Sequence, residues 1–389
     1  MFDFDPLDHL LARHLPWWGP APFRDRNLPW MQTRPALAAA LTDLSATDYR
    51  ELRANDGEAR RWLADWIPEM RELDAYQEPE PPTVAPDFAE PAHVPGRKAR
   101  QVSCFCNALA PASGRLVEWC AGQGWLLEEM LRRHPTRAGL GLEWQARLCQ
   151  KAEARIRPQG LDAHFVHCDV MDPAQLPHLH QDDTLLALHA CGHLHQRLIA
   201  LVDVIRPQSL HLSPCCYHLG QPVALSRTGQ QARLPADQVD RHLAVQDITT
   251  GHSNRSRRNE KASAWRLGYD ALRRTLLGDD RYRSLKSMPG RVWQGSFEEF
   301  AGLAAEHHQL ALPAAVDWDH WLAIGEAEHQ RIRRLELPRR QYRRLLEWWL
   351  VLDAAQALAE QSYQVTTSLF CPGELTPRNL IIHARRGTR

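Results

Sequence analysis

Three acidic residues, Glu118, Glu143 and Asp169, each close a short apolar run of the chain. Between the first two lies Cys120-Ala121-Gly122-Gln123-Gly124, followed by the helix-forming stretch Trp125-Leu-Leu-Glu-Glu-Met-Leu131. Gly122 and Gly124 give a turn with no Cβ in the way, so a ligand can approach the backbone closely at a helix N-terminus. A ligand presenting an ammonium, a ribose diol and an exocyclic amine offers a donor to each of three carboxylates. A second group of reactive residue types comes later, as His189-Ala-Cys191-Gly192 and Ser213-Pro-Cys215-Cys216-Tyr217-His218.

Both groups need a scaffold, and the pattern of the chain supplies one. Strand signals at 115–120, 138–143, 163–168, 184–189 and 209–213 alternate with helices, among them Trp125 to His134 and His193 to Ile205. Such alternation predicts a parallel, doubly wound sheet. Ligands of these sheets bind beyond the carboxyl ends of the strands. Glu118, Glu143 and Asp169 would then stand at three successive strand ends, and the two Cys/His motifs at the next two.

After Gly220 the alternation stops, and it resumes with a helix over 339–361 and two strands at 364–370 and 379–383. A closing strand pair after five parallel strands predicts a class I, Rossmann-like methyltransferase sheet of seven mostly parallel strands (fold class α/β), with a helical N-terminal cap and a helical insertion. The domain reading is 1–77 helical, 78–96 a Pro-rich linker, 97–220 the core, 221–338 a helical basic insertion and 339–389 the end of the core. Tryptophans 17, 18, 30, 62 and 66 of the first region are read as packing rather than as a substrate surface.

S-adenosylmethionine carries the three donors named above. Glu118 is assigned to its methionine end, Glu143 to the ribose and Asp169 to the adenine edge, with Cys120, Ala121, Gly122, Gly124, Val170 and His189 lining the cofactor. A dinucleotide site is the competing reading. Against it, the third fingerprint glycine is replaced by Leu127, and Glu118 precedes the glycines.

For the acceptor side, His189, Cys215, Cys216, Tyr217, His218 and Lys98 are the candidate catalytic residues. A histidine or tyrosine could position or deprotonate a nucleophile, with His218 or Lys98 as the base for a hydroxyl acceptor. A cysteine nucleophile is a second reading. Zinc is a third, disfavoured because adjacent cysteines are poor ligand spacing, so no metal is expected. Buried, inert cysteines are a fourth.

Composition bounds the remainder. The net charge is zero, so any polyanion-binding surface must be local. Such a surface is offered by 252–291, with eleven Lys/Arg against four acids, and RNA is the partner it suggests. No obligate protein partner is evident. Nine cysteines without a scaffold-like spacing imply a reducing compartment. The N-terminus lacks the features of a signal peptide and no apolar run is long enough to span a membrane, so a cytoplasmic protein is expected.

The segments Val117-Glu-Trp-Cys-Ala-Gly-Gln-Gly124, Leu188-His-Ala-Cys-Gly192, Cys215-Cys-Tyr-His218 and Thr376-Pro-Arg-Asn-Leu380 resemble the methyltransferase-like family. That family includes the proteins named for an rRNA adenine dimethylase domain and those with a glutathione S-transferase C-terminal domain. The middle motifs are also similar to tRNA 2′-O-methyltransferases of the acceptor stem, although Tyr217 stands where those enzymes carry a histidine. The resemblance spans roughly 97–220 and 340–386. It implies a methyltransferase dependent on S-adenosylmethionine and favours an RNA substrate.

Overall fold

The computed structural model describes residues 2–25, 27–83, 93–109, 114–246, 254–286 and 288–387. Its centre is a seven-stranded sheet in the order β3-β2-β1-β4-β5-β7-β6. The strands are β1 Leu116–Trp119, β2 Gly139–Glu143, β3 Ala163–His167, β4 Thr184–Cys191, β5 Ser209–Cys215, β6 Tyr363–Leu369 and β7 Leu380–Arg386. The first five run parallel, and β7 enters antiparallel between β5 and β6. This is the class I methyltransferase arrangement expected of the sequence. β1, β2 and β5 are buried along their whole length, as strands covered by helices on both faces must be.

Crossover helices Trp125–Arg133, Ala146–Ile156 and His193–Ile205 carry the chain between parallel strands. One core cluster joins helices Gly96–Ala108 and Trp125–Arg133 to the sheet through Phe105, Leu116, Leu127, Phe165, Leu186, Phe370 and Ile381. The helix Arg343–Glu360 buries Leu346, Trp348, Trp349, Val351 and Leu358 before the chain turns into β6.

The chain forms two compact units, cut differently from the boundaries read in the sequence. One comprises Met1–His14, Ala75–Gln246 and Tyr342–Arg389; the other comprises Leu15–Asp74 and Asp247–Gln341. Helix Phe4–Arg13 therefore belongs with the sheet, and its buried Asp8 accepts the Trp349 indole N–H at 3.0 Å. The tryptophan-rich helices after it group with the insertion, and residues 221–246 stay with the sheet. Hydrophobic periodicity marks a helix but not its partner, because any apolar face will fit several neighbours. In the second unit, an aromatic cluster of Trp265, Tyr269, Phe297 and Phe300 is packed beside Trp293 and Trp318. Of the Pro-rich linker, 84–92 lie outside the described residues. Among the described residues, no helix is long and apolar enough to cross a membrane.

Candidate active site

The glycine turn is held by the acids that flank it. Glu118, at the end of β1, is 6% exposed, and its Oε2 accepts the Leu127 N–H at 3.1 Å. Helix Trp125–Arg133 begins at Gly124, which has no side chain to cap it, so Glu118 takes that role. Glu143, 5% exposed at the end of β2, accepts the Gly122 N–H at 2.8 Å and the Gln145 N–H at 3.0 Å. Cys120, Gly122 and Gly124 all have positive φ, at 57°, 58° and 70°.

The two glycines differ in what surrounds them. A Cβ on Gly124 would meet the Phe165 ring at 2.4 Å, whereas one on Gly122 would meet nothing within 4 Å among the described residues. Gly124 is thus a packing requirement, and Gly122 borders open space. Ala121 is buried and donates its N–H to Leu142 at 2.8 Å, tying the loop to β2.

Burial sets the electrostatics. It raises the Glu118 carboxyl from 4.5 to about 8, opposed by the Leu127 N–H and by Lys98. It lowers the Lys98 ammonium, opposed by Glu118 and Cys215. The Cys120 thiol is pushed up to about 12, by burial first and then by Glu143. A cationic ligand entering here would find an acid whose ionised form is short of solvent. That is the setting in which an ion pair is strongest.

Asp169 differs from the other two acids. It lies exposed after β3, and its Oδ1 accepts the Met171 N–H at 2.9 Å while its own N–H goes to Gln175. Val170 beside it is buried. One residue escaped the sequence reading: Trp144, directly after Glu143, is 69% exposed. A tryptophan at a strand's carboxyl end is the signal that could have found it, since nothing in the core needs it there.

β4 and β5 run further than their patterns suggest, reaching Cys191 and Cys215. A bulge between Leu188 and Ala190 leaves His189 at φ 63°. Its Nδ1 is buried with no hydrogen-bond partner among the described residues, and its ring lies 6.4 Å from Phe370. Burial, helped by Lys98 and Arg378, lowers the imidazole to about 3, so it is neutral at physiological pH. Cys191 Sγ lies 3.1 Å from Cys215 Sγ. The Cys215 and Cys216 S–H groups that face it pull Cys191 down to about 6. Cys215 is raised by its hydrogen bond to Cys191, and Cys216 by burial.

Tyr217 and His218 have different surroundings. Tyr217 is 3% exposed, and its hydroxyl donates to Pro214 O at 3.3 Å and Glu347 at 3.4 Å. Its pKa is driven well above 10, by burial first and then by Glu347. It is a core residue, and the phenol is unavailable as a base. His218 turns towards His242, ring centroids 4.9 Å apart, and burial lowers its pKa. Consecutive positions in the strand-five motif do not by themselves make one patch. Cys216 is left-handed, at φ 47°, Tyr217 after it is buried, and His218 lies against His242.

Lys98, Glu118, His189 and Cys215 do come together, each within electrostatic reach of Lys98. Arg378, from the late Thr-Pro-Arg-Asn motif, adds a cation that acts on His189, Cys216 and His218. Its guanidinium pairs with Glu347 at 3.0 Å, which fixes it in place.

Residues 97–221 match the family model described as a methyltransferase domain. Among solved structures, YjhP of E. coli is similar over 33% of this chain and 51% of its own, at 15% identity and TM-score 0.24. A TehB-like SAM-dependent methyltransferase of Corynebacterium glutamicum is similar over 41% of this chain and 73% of its own, at 13% identity and TM-score 0.23. A geranyl diphosphate methyltransferase is similar over 46% of this chain and 65% of its own, at 14% identity and TM-score 0.27. The chain spans 48%, 51% and 26% of the first three solved chains it matches. No curated protein matches it. The cofactor of a methyltransferase domain on this sheet is S-adenosylmethionine, and the donor-seeking carboxylates and the open side of Gly122 fit it.

Proposed function

We propose that this chain is a methyltransferase that uses S-adenosylmethionine and acts on RNA. The observation that carries the methyl-transfer reading is the pairing of two buried strand-end carboxylates with a glycine turn whose Gly122 faces open space. Glu118 would hold the ammonium, Glu143 the ribose hydroxyls and Asp169 the adenine amine, with Trp144 and Val170 beside the purine. When bound, the cofactor supplies an electrophilic methyl group to an acceptor lone pair aligned with its sulfonium.

The chain's own residues prepare that acceptor. His189 is neutral and half-buried, and its buried Nδ1 has no partner among the described residues, so it can accept a hydrogen bond from an incoming hydroxyl or amine. The lowered pKa of Lys98 makes its neutral amine the candidate base for a ribose hydroxyl. An amine acceptor needs only orientation.

Support for RNA comes from the second unit. There Arg258 and Arg266 share a concave surface of about 440 Å³ with Phe23 and Trp293. Guanidinium groups beside aromatic faces suit a single strand, whose phosphates and bases need both. The basic segment contributes less than its charge count implies. Arg273 and Arg274 are buried on Asp270, and Arg281 and Arg283 pair with Asp279.

Incubation of the purified chain with labelled S-adenosylmethionine and lysate RNA tests the reading. Label lost on ribonuclease treatment, and absent with Asp169→Ala, is the expected result. Label that survives ribonuclease would move the acceptor to protein or a small molecule. Binding of S-adenosylhomocysteine without any labelling would leave a cofactor-binding module.

A further inference from the structure

Three cysteines converge at the carboxyl ends of β4 and β5. Cys191 and Cys215 are register partners on the parallel strands, with Sγ atoms 3.1 Å apart. Adjacent cysteines on an extended strand point to opposite faces, and on that ground Cys215-Cys216 makes poor ligand spacing. Here the strand ends at Cys215, and Cys216 adopts φ 47°. That left-handed turn brings its sulfur back to the same side. All three Sγ atoms lie within 4.8 Å of one another, and no other Cys, His, Asp or Glu joins the group among the described residues.

We propose that Cys191, Cys215 and Cys216 form a three-thiolate Zn²⁺ site whose fourth position is open. Zinc–sulfur bonds of about 2.3 Å in a tetrahedral arrangement set the sulfurs roughly 3.8 Å apart. The cluster reaches that spacing if Cys215 and Cys191 separate by well under 1 Å, as two neutral thiols crowded at this distance would tend to do. Cys191 and Cys216 are half-buried while Cys215 is buried, so an ion has an entry side and a dry side. Three thiolates and Zn²⁺ leave one negative charge. The Arg378 guanidinium, within reach of Cys216, is placed to balance it.

Three protein ligands with a vacant fourth position are the pattern of zinc sites that bind a substrate heteroatom or water, whereas structural sites are closed by four. The site stands at the strand ends where an acceptor would arrive, beside His189. Its chemistry there is to bind an oxygen, nitrogen or sulfur atom and lower that atom's pKa. The proposal does not depend on the acceptor being RNA, nor on transfer being observed at all.

The test uses the full chain, purified under reducing conditions without chelator. Elemental analysis should find about one zinc per chain. After zinc is removed, Co²⁺ should give the visible bands of a tetrahedral ion together with thiolate-to-cobalt charge transfer. Cys191→Ser and Cys216→Ser should each lower the metal affinity at least about tenfold. Cys104→Ser, a buried cysteine outside the group, should leave it unchanged. Alkylation of the folded chain should spare the half-buried Cys191 and Cys216 with zinc present and reach both once zinc is removed. Wild-type chain that takes up neither Zn²⁺ nor Co²⁺ at micromolar concentration overturns the site. So does a thiol count showing Cys191 and Cys215 joined as a disulfide in the reduced preparation.

Discussion

Glu118 is where pH should act most strongly on ligand binding. Its carboxyl is 6% exposed, and burial raises it from 4.5 to about 8. A group that is neutral in the free protein must shed its proton before it can pair with a ligand ammonium. At about pH 6 roughly one chain in a hundred carries the ionised form, and at about pH 8 roughly half do. The affinity for S-adenosylhomocysteine, which keeps the ammonium, should therefore rise about 50-fold across that window. Binding near neutral pH should release close to one proton.

Stability of the free chain should move the other way. The folded value of this acid lies above its unfolded one, so its contribution is complete below about pH 4.5 and is lost as pH rises through about 8. The slope over that interval is about 1.4 kcal/mol per pH unit, a total of a few kcal/mol. Glu118→Gln keeps the Leu127 N–H capped by its amide oxygen and removes the titration. Calorimetric titration in two buffers of different ionisation enthalpy measures affinity and proton release together. Thermal melts of wild type minus Glu118→Gln isolate the stability slope. A wild-type affinity that is constant from about pH 6 to about pH 8, with no proton released, would refute the reasoning.

Gly124→Ala should cost about 2 kcal/mol or more of stability, because its Cβ lands on the Phe165 ring. Gly122→Ala should cost only about 1 kcal/mol from its positive φ, yet it should abolish cofactor binding; melts and dialysis separate the two. Trp144→Ala should weaken S-adenosylhomocysteine about tenfold with little change in melting temperature, since the ring is 69% exposed. Arg258→Ala and Arg266→Ala should each lower RNA affinity and reduce the salt slope by about one, read by filter binding. Arg274→Ala should instead destabilise the second unit, because it strips a buried partner from Asp270. Tyr217→Phe should leave methyl transfer intact and cost about 1 kcal/mol of stability through its lost hydrogen bond to Glu347.

The legible part of this protein is the part governed by short-range rules. Strand and helix periodicity, the two glycines and the acids at the ends of β1 and β2 could be placed from neighbours in sequence, because each element's residues decide its own face. Glu118 and Glu143 sit where that reasoning puts them, one on each side of the turn. It failed where side-chain direction depends on one backbone torsion. The φ of Cys216 decides that its thiol joins Cys191 while Tyr217 enters the core. The bulge before Ala190 similarly decides that the Nδ1 of His189 is buried with no partner among the described residues. Nor could charge counting see that Asp270 would absorb two of the basic segment's arginines.

The sequence alone therefore determined the sheet, its closing antiparallel pair and the place of the glycine turn. Those follow from hydrophobic periodicity and from glycine's access to positive φ, which are local properties. Tertiary structure alone decided which helices share a core, which cations stay in water and which cysteines meet. These depend on groups brought together from distant parts of the chain, such as Asp8 with Trp349 and Lys98 with Glu118 and Cys215. The free energy of burying a charge or sharing a proton exists only once those groups are neighbours.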